Sequence, residues 1–512
     1  MPPSRVLMIG LDAADPVLVE RWIEDGTLPH LAALRSSGAH GRLRTPASCL
    51  AGAPWPTFYT GQPPSHHGIY HDFQWRQDRM GYARPTPEWL AAEPFWREID
   101  GHVDVVAYDV PMTLGCGPFR GVEVTGWASH DKLGPPAAHP PELIEEIRRR
   151  FGTWPVRPES YGASPVDELL ELRDHLVDNT ERSAELVEWL LQRGSWNLAL
   201  AVFAGPHRGG HRLWDRSSIA GPVSPEDGRR FDGALRDLYV ACDRAVSRVV
   251  RAALGDTNVL VFSLHGMMVN TCRVDLLDGM LARVLGGAEA AEPRRGLVRK
   301  IGERIPLGLR RKLTSAVPAA LRDRAMTAWA SGAVDWKRTE AFTLRADLHG
   351  YVRINLAGRE RDGIVAPGDY DALCARIADG LTSFVDASTR EPLVAAVVRI
   401  EDVLPEGPRR DRLPDLIVQW QDSPGASHEA VISDRLGRVE RSTPGRIPNA
   451  RSGNHRSEGF WIAAGPGFRA RGPVPEQADI LDLAPTALAM LGARTRRPIR
   501  GTPLPVLGPA QA

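Results

Sequence analysis

Arg5-Val6-Leu7-Met8-Ile9-Gly10-Leu11-Asp12 is the stretch from which the fold is read. Val6 to Ile9 is an unbroken apolar run, the pattern of a central parallel strand covered on both faces; a half-exposed strand would alternate. Asp12 follows at the strand's carboxyl end, and Pro16 to Ile23 reads as the next helix. The alternation recurs outward. Val103–Tyr108, Leu198–Ala204, Asn258–Ser263, Asp415–Trp420 and Gly459–Ala464 read as strands, and Leu28–Ser36, Pro165–Arg193 and Gly228–Leu254 as helices. The last of these repeats its apolar residues every three or four positions. Strands alternating with long helices predict an α/β fold with a doubly wound, mostly parallel central sheet flanked by helices, whose sites gather at the carboxyl ends of strands. Asp12, His207 and His265 all fall just past such an end, so the topology expects them to converge.

A chain of 512 residues exceeds the usual single-core size. The expectation is one large domain over residues 1–506, with helical and loop cap insertions at approximately 125–190 and 270–340, and a tail at 507–512. Lys and Arg number 63 and Asp and Glu 63, so no global field favours nucleic acid or a membrane surface. Cys49, Cys116, Cys242, Cys272 and Cys374 are scattered, without the spacing of a zinc ribbon or a disulfide framework. They read as reduced thiols. The first strand begins too early for a charged, apolar, cleavable leader, and no apolar run reaches the roughly 18 residues of a membrane helix. A cytoplasmic protein with no membrane span and a small-molecule substrate is expected.

Two regions stand outside the alternation. Gly286–Ser331 is arginine-rich; it reads as an inserted cap helix with a solvated face, or as a basic amphipathic helix for a membrane or an acidic partner. Pro135–Ser164, rich in proline and glycine, reads as a loop-rich insertion on the site rim.

The segments that carry chemistry are Gly10-Leu11-Asp12, His207-Arg208-Gly209-Gly210-His211, Ser263-Leu264-His265-Gly266-Met267 and Gly453-Asn454-His455-Arg456. Ala51 to Gly61 and Pro64 to Ile69 accompany them. In order and context these segments resemble the type I phosphodiesterase/nucleotide pyrophosphatase branch of the alkaline phosphatase superfamily. Asp109–Thr113, Tyr351–Glu360, Pro414–Val418 and Ala478–Gly492 extend the resemblance over most of the chain. It implies an alkaline phosphatase-like fold and two adjacent zinc sites. In chain order these are built from Asp, Thr or Ser, an Asp-x-x-x-His pair, an adjacent Asp-His and a last His. Asp12 matches the first Asp, His265 the His of the family's S-D-H-G-M, His211 the His of the pair and His455 the last His. Three positions depart. The nucleophile, nine residues before Thr60, falls on Ala51; the Asp before His265 is Leu264; and the Asp of the pair is His207.

These departures change the expected chemistry. Ala51 has no nucleophilic atom, and Ser48, Cys49 and Thr57 are near but out of register. Cys49 would need a lowered pKa to act; otherwise it is a buried thiol. Leu264 cannot bind a metal, so the nucleophile-side site keeps only Asp12 and His265, where zinc sites use three or four protein ligands. No tight second metal is expected there. Asp12 and His265 are then left as a carboxylate–imidazole pair fit for general acid/base work. Alternatively, Asp12 is a helix cap and His265 a backbone-bonded core histidine.

His207 and His211, four apart, share one face of a helix. With His455 they make a three-imidazole set for one Zn2+ with an open fourth position, able to bring bound water to a pKa near 7. Imidazole also suits other metals, and the pair could instead be two exposed histidines in a glycine-rich loop. Arg208 or Arg456 could meet an anionic substrate group. The expected function is a metal-dependent hydrolase of a phospho- or related ester. The alternatives are hydrolysis, elimination or cyclisation of a non-phosphate small molecule, and a non-catalytic binding protein retaining the pocket. His207 speaks against simple decay, because it replaces one potential ligand by another.

Overall fold

The computed structural model describes residues 5–90, 92–129, 133–153, 162–253, 255–286, 334–441 and 449–507. Strand β1 (Arg5–Leu11) sends successive side chains to opposite faces, as its two-residue period requires. Leu7, Ile9 and Leu11 enter one apolar layer, and Val6 and Met8 the other. Both layers are closed by helices. Against the first pack α1 (Pro16–Glu24), α2 (Pro29–Ser37), α4 (Val166–Leu191) and α6 (Pro225–Ala253). Against the second pack α3 (Pro54–Thr60) and α9 (Leu483–Leu491). Helix α6 buries Phe231, Leu235, Leu238, Cys242, Val246 and Val249, one stripe at helical spacing.

The remaining strands of this sheet are β2 (Ala39–Arg44), β3 (Val105–Tyr108), β4 (Gly121–Thr125), β5 (Ala137–His139), β6 (Leu198–Phe203), β7 (Thr257–Ser263), β14 (Glu458–Ala464), β15 (Gly472–Pro473) and β16 (Ala478–Asp479). Their order is β15-β2-β14-β7-β1-β6-β3-β4-β5, with β16 also on β2. The five central strands β7, β1, β6, β3 and β4 are parallel. β14 runs antiparallel between β7 and β2, and β5 antiparallel on β4. This is the doubly wound, mostly parallel sheet that the strand–helix alternation predicts.

A second sheet lies outside it. β9 (Ala341–Leu344), β10 (Gly350–Ile354), β12 (Leu416–Trp420) and β11 (Val394–Arg399) form an antiparallel sheet in that order. It shares a core with α7 (Val274–Gly286) and α8 (Tyr370–Thr382). Asp415–Trp420, expected in the parallel sheet, belongs here. Its apolar run is continuous because Leu416, Val418 and Trp420 face one core and Ile417 another, so burial on both faces imitates a central parallel strand. Pro135–Ser164, expected as loop, contributes β5 and a helix over Leu143–Phe151. Residues 287–331 of the arginine-rich segment and 508–512 of the tail lie outside the described residues. Among the described residues no helix is long and apolar enough to cross a membrane.

Helix α5 (Gly205–Leu213) is wedged between α6 and a two-stranded ribbon of β8 (Gly266–Val269) and β13 (Gly453–Arg456). Its glycines are set by this fit. A Cβ on Gly209 would meet the Leu238 side chain at 2.2 Å, and one on Gly210 the Met267 side chain at 2.8 Å. A Cβ on Gly453 would meet the Gly210 carbonyl oxygen at 2.2 Å, a backbone atom that cannot swing aside. Gly453→Ala therefore destabilises the fold by about 1–3 kcal/mol, the cost of overpacking. Gly233→Ala, in α6 with nothing within 4 Å of the new Cβ, stabilises by about 1 kcal/mol through helix propensity. Urea unfolding midpoints check both; equal midpoints would contradict the wedge.

Candidate metal centre

Asp12 lies one residue beyond β1, where Ala13, at φ +54°, turns the chain sharply into α1. The helix is capped by Asp15, whose Oδ1 accepts from the Val17 and Leu18 amides at 3.1 and 3.0 Å. Capping thus falls to Asp15, and Asp12, fully buried, is left to meet Trp55 and His207. Trp55 Nε1 donates to its Oδ1 at 2.8 Å, and His207 Nδ1 lies 2.8 Å from its Oδ2. Burial pushes the Asp12 carboxyl up, but the adjacent His207, with help from His265 and Trp55, outweighs this and holds it below the usual carboxylate range.

Four histidines converge beside it. His207 and His211 sit one turn apart on α5, with ring centroids 5.0 Å apart. His455 on β13 lies 5.0 Å from His207 and 5.1 Å from His211. His265, between β7 and β8, stacks edge-on at 4.7 Å from His455. All four are buried, which sets aside a pair of exposed polar histidines. One ligand nitrogen from each of His207, His211 and His455 lies within 4.8 Å of the others, close enough to hold one metal ion.

The backbone holds these rings from several directions. His211 Nδ1 faces the Gly453 carbonyl at 3.0 Å, and the Ser452 amide donates to the His211 carbonyl at 2.9 Å, tying α5 to β13. The Asn454 side chain accepts from the His455 amide at 2.8 Å and donates to the Asp347 carbonyl at 2.6 Å, so the second sheet braces the ribbon. His455 Nδ1 meets His265 Nδ1 at 3.4 Å, and His265 Nδ1 also lies 3.5 Å from the Gly266 carbonyl. Burial lowers the His265 pKa to about 4. The carboxylate–imidazole contact therefore joins Asp12 to His207, while His265 turns to His455. The replacement at position 207 brings an imidazole within reach of Asp12, a contact that reading the positions one at a time does not reveal.

At the two positions where the resemblance expects a nucleophile and a second metal-binding Asp, the side chains are apolar and buried. Leu264 is buried in the cluster of Trp55, Phe58 and Phe262, where a leucine contributes about 1.5–3 kcal/mol. Ala51 is buried, and its amide donates to Tyr351 Oη at 3.3 Å. Of the neighbours, Ser48 is exposed, its Oγ 3.4 Å from the Thr45 carbonyl, and neither Cys49 nor Thr57 is set up as a nucleophile. Burial raises the Cys49 thiol pKa. Thr57 Oγ1 contacts His67 Nε2 at 3.0 Å, but His67 Nδ1 accepts from the Ile69 amide. The ring proton therefore sits on Nε2, and His67 cannot take the Thr57 proton. Arg456, a candidate for an anionic substrate group, donates instead to Asp15 at 2.8 Å, and Arg208 is buried on α5. Trp55 is the site residue that reading from sequence missed; its one signal was a tryptophan between two prolines, four residues after Ala51.

Residues 6–435 match the type I phosphodiesterase/nucleotide pyrophosphatase family, and the chain belongs to it. Among solved structures it is similar to phosphonoacetate hydrolase from Sinorhizobium meliloti 1021 in complex with phosphonoacetate, at 14% identity and a TM-score of 0.53, with 96% of each chain covered. It is also similar to human ectonucleotide pyrophosphatase/phosphodiesterase 5, at 15% identity and a TM-score of 0.48, over 98% of this chain and 97% of that one. No curated protein matches. The phosphonoacetate hydrolase likeness supports the fold.

With its thiol buried and its pKa raised, Cys49 stays unmodified by iodoacetamide at neutral pH until the protein unfolds. Peptide mapping after brief exposure checks this; rapid labelling in the folded state would return Cys49 to the list of nucleophiles.

Proposed function

We propose that the protein is a hydrolase in which His207, His211 and His455 hold a single metal ion, zinc, and water attacks a phospho- or related ester of a small anionic molecule. The observation that carries this reading is the way two of the rings are held from behind. His207 Nδ1 faces Asp12 and His211 Nδ1 faces the Gly453 carbonyl. A neutral imidazole with its hydrogen on Nδ1 offers its lone pair at Nε2, and metal-ligating histidines almost always carry such an outer hydrogen bond. The donor set therefore fits a zinc site with three protein ligands and an open position.

When bound, such an ion supplies Lewis-acid activation of water near neutral pH. The chain's own residues do the rest. Three neutral imidazoles leave the inner ring without the negative charge that an Asp at 207 would bring, which favours an anionic substrate. Burial lowers the local dielectric and strengthens that attraction. Ala51 offers no side chain for a covalent intermediate, so the attacking group is water. Leu264 in its apolar cluster favours a second reading, in which the ester is not a phosphodiester, because the clamp of two ions on attacking and leaving oxygens would be absent.

Elemental analysis of the purified protein tests the metal set. One zinc per chain is expected, with none in His211→Ala or His455→Ala; two metals per chain, or metal retained by both variants, would contradict it. Combining Ala51→Thr, Leu264→Asp and His207→Asp is expected to raise hydrolysis of bis-p-nitrophenyl phosphate. No gain in a folded, metal-loaded triple variant would count against the correspondence of these positions with the family's.

A further inference from the structure

We infer that Asp12 is a positioning residue that orients His207, and not a ligand of any metal. This rests on the three-histidine reading above and adds to it the role of the one carboxylate in the cluster.

Both oxygens of Asp12 face N–H donors. Oδ1 accepts from Trp55 Nε1 and Oδ2 faces His207 Nδ1, each at 2.8 Å. An indole nitrogen can only donate, so one lone pair of Oδ1 is taken by a proton, while Oδ2 is turned to the imidazole. At the positions where the resemblance would expect further groups for a second metal stand Ala51 and Leu264, both buried and neither able to bind an ion. Asp12 is not needed as a cap either, since Asp15 fills that place. What remains for the Asp12 carboxylate is the imidazole it touches. It fixes the hydrogen on Nδ1, locks the ring plane and raises the basicity of Nε2, as an outer carboxylate does for a zinc-bound histidine.

The replacement at 207 and the retention of Asp12 are then one device. The imidazole stands between the carboxylate and the ion, so the negative charge is kept but moved one shell outward. Trp55 holds the other oxygen and stops the carboxylate from rotating.

Zinc affinity decides this, measured on the full-length protein by competition with a chromophoric chelator. Asp12→Ala, Asp12→Asn and His211→Ala are compared with wild type, alongside the Co2+ absorption spectrum and the thermal midpoint of each metal-free protein. Asp12→Ala is expected to bind one zinc still, about 10–100-fold more weakly, with a shifted Co2+ spectrum. Asp12→Asn, whose amide oxygen can still accept from Nδ1, is expected to recover part of the affinity. Two outcomes would overturn the inference. In one, Asp12→Ala lowers a stoichiometry of two to one and leaves the remaining affinity intact, making Asp12 a ligand. In the other, both Asp12 variants bind zinc as tightly as wild type, making the contact merely structural. His211→Ala separates this from the underlying reading: unchanged zinc binding there refutes the three-histidine site itself, whatever Asp12 does.

Discussion

The contact between His207 Nδ1 and Asp12 Oδ2, 2.8 Å long and buried, is the constraint around which the carboxyl end of the central sheet is arranged. A buried carboxylate is tolerated only when donors surround it; stripping one away leaves an uncompensated charge, at a cost of about 3–5 kcal/mol. Here the donors come from α5, through His207, and from α3, through Trp55. The two helices lie on different strand-to-helix connections, so the carboxylate at the end of β1 ties together elements far apart in the chain. The wedge of α5 against β13, permitted by Gly210 and Gly453, then brings His211 and His455 onto the same centre.

Much of this was legible in the sequence. The unbroken apolar run of β1 announced a parallel strand buried on both faces, and the positions of Asp12, His207 and His265 just past strand ends announced their convergence. The four-residue spacing of His207 and His211 placed them on one helix face. What the sequence did not show has physical reasons. Leu416–Trp420 reads like a central parallel strand because it, too, is buried on both faces, but between the two cores of a second, antiparallel sheet. The pairing of Asp12 with His207 depends on the direction of two side chains across 195 residues, which spacing does not carry. Trp55 was invisible as a site residue because a tryptophan in an apolar helix is ordinarily core; only its indole nitrogen, aimed at Asp12, distinguishes it.

Membership of the type I phosphodiesterase/nucleotide pyrophosphatase family sets the frame within which the three departures are to be understood together. On the proposed reading, Ala51, Leu264 and His207 are linked departures, not scattered losses. Ala51 and Leu264 are buried, Leu264 among the aromatic rings around Trp55, and His207 adds an imidazole where two further histidines stand within reach of a shared ion. A site that had only decayed would leave charged remnants facing one another without partners. Here the Asp12 carboxylate has two donors, and the ring it contacts belongs to the histidine cluster that could share an ion.

The central claim, one ion held by imidazoles alone, is tested most directly by zinc K-edge X-ray absorption on the metal-loaded protein. The account predicts a single shell of light scatterers at about 2.0–2.1 Å with the outer-shell pattern of three imidazoles. It also predicts no metal–metal vector near 3.5–4 Å. A second metal at that distance, or a shell fitted by one imidazole fewer with a carboxylate in its place, would contradict it.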